Sequence, residues 1–280
     1  MSRLLTVDTL HDGRPGAIAA YLWSGTEPVL VDPGPASVLP RLREALAAAG
    51  LPLDEVRHVA LTHVHLDHAG AAGHLAAADP RIRIHVHEAG APHLAAPERL
   101  VASTRRTFGD AHDRLWGEVL PVPADQLRAW RPGSTDGPPG LRAVPTPGHI
   151  DHHLAWLDES DGLLFSGDSL GIILGEGVPV HPIGPERAAV THFGVHSEVE
   201  SRTRELREAL LSLAARIGDA LAEGRTSVDA EEFDQEARER LARVLPRDRV
   251  DAYLDVFSAS NDYRGLQRYL ERNPDWRDKA

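Results

Sequence analysis

The chain is 280 residues long, which allows one large domain with an appendage or two modest domains. Its formal charge of −12, from 42 Asp and Glu against 30 Lys and Arg, and the lack of any basic run interleaved with aromatics argue against nucleic acid as a partner. With no cysteine and a single lysine, Lys279, the sequence excludes disulfides, thiolate zinc sites, iron–sulfur clusters, cysteine nucleophiles, lysine Schiff bases and P-loops.

The opening stretch, "MSRLLTVDTLHDG", has no apolar core of a signal peptide, and no run of about 18 apolar residues follows it. A cytoplasmic protein with no membrane partner is therefore expected. In chain order, "LLTVDTL", "AIAAYLWSG" and "PVLVDPG" read as consecutive strands, and "ASVLPRLREALAAAG" as an amphipathic helix closed by Gly50. Next come "VRHVALTHV" as strand, "AGAAGHLAAA" as helix and "RIRIHVHE" as strand. Residues 97–116 are predicted helical and polar, and "RPGSTDGPPG" a loop. "LRAVPTPG", "HHLAWLDES", "GLLFSGDSL" and "ERAAVTHFG" return to strand character.

From Ser197 the texture changes. "EVESRTRELREALLSLAARIGDALAEG" places apolar residues at helical spacing, and further helices are predicted at 229–244, 247–257 and 262–272. The chain thus divides into a β-rich part, residues 1–198, and an all-helical C-terminal region, residues 199–280. All 16 histidines lie at or before position 196, so histidine chemistry belongs to the β-rich part.

The densest chemistry is in "LTHVHLDHAGAAG". His63 and His65 are two apart, so at the end of a strand their side chains lie on one side, and a turn after them swings Asp67 and His68 to the same point. Without cysteine the site is built of nitrogen and oxygen ligands, which a borderline cation such as zinc accepts, and the spacing suits two adjacent metals better than one. A single histidine at a strand end is ordinarily a satisfied side chain. Four ligand-type residues in six positions are not accounted for that way. Further ligand types end apolar runs elsewhere: His149 in "VPTPGHIDHH", Asp168 in "LLFSGDSL" and His192 in "AAVTHFG". An aspartate between two cations is a natural bridge, because its two oxygens offset the repulsion of the charges.

The ordered series "VDPG", "THVHLDH", "TPGH", "GDSL" and "THFG" resembles the metallo-β-lactamase-fold hydrolase superfamily, and within it the glyoxalase II-like and lactonase-like pattern, over roughly residues 1–198. The resemblance implies an α/β (α+β) fold, a four-layer αββα sandwich of two mixed sheets flanked by helices with the metals at one sheet edge. It implies that His63, His65 and His149 hold a first metal, that Asp67, His68 and His192 hold a second, and that Asp168 bridges. Asp32 in "VDPG" would orient the site from behind the ligands; the competing reading is a turn-forming Asp before Pro-Gly. Asp67 and Asp168 are the residues expected in the catalysis. The function implied is a dinuclear metal-dependent hydrolase, with zinc, manganese or iron as cofactor. A bridging hydroxide would attack a carbonyl ester, thioester, lactone or related amide of a small-molecule substrate.

The alternative on the same scaffold is a mononuclear iron dioxygenase of the persulfide type, with His63, His149 and Asp168 serving one iron. Other departures bear on the reading. Only 23 residues separate Asp168 from His192, where family members place a substantial crossover helix, so His196 is the substitute ligand. His152 and His153 read as structural, with contact to substrate or to a ligand as the alternative, and no further ligands accompany His85 and His87. His181 lies in a Pro/Gly loop, and Ser169 in "GDSL" lacks the late Asp-x-x-His of the serine hydrolases named for that tetrapeptide. For the helical tail, family analogy offers a cover for the metal cleft or a homodimer contact, with Asn261, Tyr263, Arg264 and Tyr269 as candidate pocket or interface groups, against simple packing onto the sandwich.

Overall fold

Three short apolar segments separated by turns open the fold as an antiparallel meander: β1 (Arg3–Asp8), β2 (Ala19–Ser24) and β3 (Pro28–Val31). The computed structural model describes residues 3–25, 27–135, 137–169, 185–192, 194–254 and 258–275. After β3 come helix α1 (Leu39–Ala48) and strand β4 (His58–Ala60), then helices α2 (Leu66–Ala69) and α3 (Ala72–Ala78) and strand β5 (Arg83–His87). Helices α4 (Ala91–Ala95), α5 (Glu98–Phe108) and α6 (His112–Trp116) lead to β6 (Leu127–Trp130). Strands β3, β4, β5 and β6 pair in parallel, completing a six-stranded mixed sheet in the order β1-β2-β3-β4-β5-β6.

The second sheet is built from β7 (Arg142–Pro145), β8 (Leu154–Asp158), β9 (Leu163–Gly167), β10 (Arg187–Val190) and β11 (Gly194–His196), in the order β11-β10-β9-β8-β7. It is also mixed: β9 and β10 are parallel and the other pairs antiparallel. The segment from 170 to 184, which carries His181 and most of the tight connection between Asp168 and His192, lies outside the described residues.

Side-chain alternation sorts the first sheet's two faces. Ala20, Leu22, Leu30, Val59 and Ile84 point to one core, shared with Leu42 and Leu46 of α1 and Leu75 of α3. Ala19, Tyr21, Trp23, Val29 and Val31 point to another, shared with Leu154, Trp156 and Phe165 of the second sheet. Burial on both faces explains why these strands read as near-continuous apolar runs. Two indoles also pin the sheets together, Trp23 Nε1 donating to Asp158 Oδ2 at 2.9 Å and Trp156 Nε1 to the Leu61 carbonyl at 3.1 Å. Two mixed sheets with flanking helices are what the resemblance to the superfamily implies.

The chain falls into two units, one holding the strands up to Val199 and the other the helices from Glu200 on. The tail consists of α7 (Val199–Glu223), α8 (Thr226–Leu241), α9 (Arg247–Leu254) and α10 (Ala259–Arg272). Its core gathers Ala214, Ile217, Ala230, Leu266 and Leu270 around Tyr263, whose hydroxyl donates to Asp229 Oδ2 at 2.6 Å. Tyr263 is therefore a buried packing residue rather than a pocket or interface group, while Asn261 and Arg264 are exposed. Among the described residues, no helix is long and apolar enough to cross a membrane.

Two local expectations need correction. The strand predicted through residue 64 ends at Ala60, because Thr62 N–H turns away from the ladder to donate to Asp32 Oδ1 at 2.8 Å. His63 and His65 therefore lie in a loop. Asp67 and His68, expected in a turn, sit on α2, which begins directly after His65.

Candidate metal centre

Each segment that carries a site residue emerges from the carboxyl end of a strand or from a turn beside one. Asp32 follows β3, the His63–His68 segment follows β4, Asp168 follows β9 and His192 follows β10. His149 lies in the turn between β7 and β8. Carboxyl ends of parallel strands are where open α/β sheets place ligands, because the chain leaves the ladder there and its polar groups converge.

All seven ligand candidates named from the sequence meet at this edge. Among the described residues, only two groups of three or more His, Asp or Glu bring one ligand atom each within 4.8 Å of one another: His63, His65 and His149, and Asp67, His68, Asp168 and His192. In the first group His65 Nδ1 lies 3.0 Å from His63 Nε2 and 2.9 Å from His149 Nε2. Nitrogens sharing a cation at about 2.0–2.1 Å stand roughly this far apart or slightly farther. In the second group His192 Nε2 lies 3.4 Å from Asp67 Oδ2 and 3.5 Å from Asp168 Oδ1, and His68 Nε2 lies 3.1 Å from Asp168 Oδ1. His196, the substitute, belongs to neither group.

Asp168 faces both ways. Its Oδ2 is 3.4 Å from His149 Nε2 and 3.9 Å from His63 Nε2, while its Oδ1 faces His68 and His192. Gly167 lets the carboxylate arrive there. It has φ +51, and a Cβ on it would stand 2.5 Å from Thr62 Oγ1 and 2.7 Å from His153 Nε2.

Hydrogen bonds behind the ligands fix which nitrogen each imidazole presents. The buried Asp32, at φ +45, accepts from Thr62 N and Thr62 Oγ1 at 2.8 Å each, from His68 Nδ1 at 2.9 Å and from Thr191 Oγ1 at 3.1 Å. His68 thereby turns Nε2 to the cluster. Because the Thr62 hydroxyl proton goes to Asp32, His63 Nδ1 must donate to Thr62 Oγ1, at 3.1 Å, which leaves His63 Nε2 bare. His192 Nδ1 donates to the Ala17 carbonyl at 3.0 Å and so also presents Nε2. His153 Nε2 accepts from Asp168 N–H at 3.2 Å, so its Nδ1 carries the proton to Thr146 Oγ1 at 2.7 Å. The sequence reading reaches His153 only as an alternative to a structural role, and it misses Thr62, Thr146 and Thr191 as supports. A signal exists for two of the threonines, since the dipeptide Thr-His occurs at both 62–63 and 191–192.

The electrostatics divide the two groups. Burial pushes His63 well down and lowers His65, and it brings His149 down to about 4, so the first group presents neutral imidazoles, the form that binds cations. In the second group burial opposes charge on His68 and His192, but Asp168 and Asp67 overcome it and raise both, with Asp32 helping at His68. Asp67 and Asp168, desolvated but flanked by these imidazoles, are held below the usual carboxylate range.

These residues fit a pair of divalent cations. His68 Nε2 and Asp168 Oδ1 are buried with no hydrogen-bond partner, though only 3.1 Å apart, and a cation beside them would satisfy both. The donor set is imidazole and carboxylate throughout, as zinc, manganese and iron accept.

Comparison with known proteins places this edge in a larger group. The sequence matches the family model described as the metallo-beta-lactamase superfamily over residues 13–217. Among curated proteins it is 28% identical over 180 residues to a probable metallo-hydrolase, YqjP, of Bacillus subtilis, covering 55% of this chain and 53% of that protein. It is 33% identical over 125 residues to the thioesterase pkgB of Emericella nidulans, covering 45% and 26%, and 31% identical over 183 residues to the lactamase-like protein adaB of Aspergillus niger, covering 62% and 46%. The matches thus span about half or less of these relatives' own lengths. The fold is similar to that of a metallo-beta-lactamase family protein of Thermus thermophilus, with a TM-score of 0.64 at 24% identity over 98% of this chain and 94% of the other. It is also similar to an archaeal superfamily protein of Sulfolobus tokodaii, with a TM-score of 0.56 at 20% identity over 75% and 85%. A family match across most of the chain, together with a matching fold, leaves one assignment: this chain belongs to the metallo-beta-lactamase superfamily.

Proposed function

We propose that the chain is a dinuclear metal-dependent hydrolase that cleaves a carbonyl ester, thioester, lactone or related amide bond in a small molecule. The observation that carries this reading is Asp168, whose two oxygens face two separate ligand groups. Relatives named as a metallo-hydrolase and a thioesterase support hydrolysis at an acyl carbon.

His63, His65 and His149 would hold one cation and Asp67, His68 and His192 the other, with Asp168 between them. When bound, the pair supplies Lewis acidity, lowering the pKa of water towards about 7 and polarising a carbonyl oxygen. Asp67 is the carboxylate of the pair nearer solvent, its side chain 14% exposed against 2% for Asp168, and with Oδ2 turned to His68 and His192 its other oxygen takes up the proton that the attacking water gives up. As the carbonyl carbon's bond to oxygen, sulfur or nitrogen breaks, the same oxygen returns that proton to the leaving group. Asp32, Thr62, Thr191 and His153 hold the ligands in place and touch no substrate.

Metal analysis of the purified protein, followed by a panel of esters, thioesters, lactones and β-lactams, tests the reading. About two zinc or manganese ions per chain and hydrolysis that Asp168→Ala abolishes are expected. One iron per chain with oxygen uptake on a persulfide would replace it by the dioxygenase reading.

A further inference from the structure

Beside the first ligand group lies a second cluster of imidazoles that metal binding does not use. His152, three residues after His149, is 8% exposed, and its Nε2 is buried with no hydrogen-bond partner. The His87 ring, at the end of β5, stands 6.5 Å from it and the His93 ring, on α4, 6.4 Å, both measured between centroids. His87 and His93 are half-buried and so open to solvent. The fold holds this arrangement close to the site. Gly90, the residue before α4, packs on Val64, between His63 and His65 in sequence; a Cβ there would stand 2.9 Å from Val64 Cγ1 and 3.0 Å from Val86 Cγ2.

The cluster is poorly suited to a cation. It is not among the groups of described residues whose ligand atoms come within 4.8 Å of one another. In addition, His87 Nδ1 accepts from Ala89 N–H at 3.1 Å, so the neutral ring carries its proton on Nε2 and presents a donor. Rings with centroids 6.4–6.5 Å apart are too distant to bond each other directly, but an oxygen about 2.8 Å from a nitrogen of each would span the gap. We propose that His87, His93 and His152 form a recognition site for an anionic oxygen group, of the carboxylate or phosphate class, carried by the substrate. The assignment of that group to a substrate rests on the hydrolase reading above; the site itself does not. Burial first, and then the neighbouring imidazoles, bring His152 down to about 4, with Asp151 opposing, so it enters the site neutral and gains from an incoming negative charge.

The test uses the full chain, stripped of metal with a chelator and labelled with 15N-histidine, titrated with succinate and with inorganic phosphate. Saturable shifts are expected in the resonances assigned to His87, His93 and His152, and His93→Gln and His152→Asn should each weaken binding by at least about tenfold, as loss of one hydrogen bond to a charged group implies. His93→Gln lies on a half-exposed helix position and guards against a misfolded His152 variant. No saturable shift, or shifts confined to the His63, His65 and His149 resonances and indifferent to both variants, overturns the site. On the metal-loaded chain, His93→Gln should lower the preference for an acyl substrate bearing a terminal carboxylate over its uncharged analogue about tenfold, through KM. If anions bind but no acyl substrate is cleaved, the hydrolase reading fails and the site stands; if cleavage occurs without charge preference and without anion binding, the site fails alone.

Discussion

Replacing Asp32 by Asn separates the job of its charge from the job of its shape. Asn tolerates the left-handed φ of +45 as readily as Asp does, so the turn after β3 is preserved. The carboxylate accepts four hydrogen bonds, whereas the amide has one oxygen and two donors. If that oxygen keeps Thr62 N–H, the amide nitrogen faces Thr62 Oγ1, Thr191 Oγ1 and His68 Nδ1, all three of them donors in the native arrangement. The hydroxyls can rotate. His68 must instead shift its proton to Nε2, the nitrogen aimed at Asp168, which removes one bare ligand from the second group. A lost hydrogen bond to a charged group amounts to about 1.5–3 kcal/mol, or about 10–100-fold in cation affinity. A chelator-competition titration with zinc should therefore resolve two steps in the native protein, and Asp32→Asn should weaken the step that involves His68 by that factor; the step that involves His63 weakens as well, because the amide also faces the Thr62 hydroxyl that fixes the His63 tautomer. Two unchanged steps would refute the reasoning.

Gly167→Ala should combine left-handed strain of about 1 kcal/mol with overpacking of about 1–3 kcal/mol against Thr62 and His153; urea unfolding of the metal-free chain would measure the loss, and a change under about 0.5 kcal/mol would show that the loop yields freely. In the tail, burial opposes charge on Asp229, but hydrogen bonds from Arg216 and Tyr263 prevail and hold its carboxyl low. A depressed folded-state pKa stabilises above the unfolded value and is lost as pH falls through the folded one, so the urea midpoint should drop below about pH 4, with Asp229→Asn flattening that dependence and costing about 3 kcal/mol at neutral pH. A variant with the native pH profile would assign the acid sensitivity elsewhere.

How far the sequence reaches can be argued from individual residues. The candidate ligands are legible because four of them crowd into residues 63–68 and because His149, Asp168 and His192 each end an apolar run, where a polar side chain has few structural reasons to be. The meander, α1 and the tail are legible because their apolar periods are strong, as at Leu210, Leu213, Ala214, Ile217 and Leu221. Strand β6 escapes because it is an edge strand in which only Trp130 is buried, so no alternation marks it. Helix α4 is five residues long, and β11 three, lengths at which period carries no signal. The supports behind the ligands are hidden for another reason: threonine is as common in strands as in hydrogen-bond networks, and only the fold shows that Thr62 and Thr191 reach one carboxylate.

The two ligand groups also differ in how much chain they close. The first needs residues 63 to 149 to be in place and the second residues 67 to 192, with Thr191 reaching Asp32 across 159 positions. As the polypeptide emerges from the ribosome, His63 and His65 are therefore available long before Asp168 and His192. Half a site carries little of the affinity of the whole, since the loop entropy of bringing β10 to β9 must be offset before the last ligands can contribute. Tight cation capture is accordingly a late event in the life of the chain, and a bound ion records that the second sheet has closed.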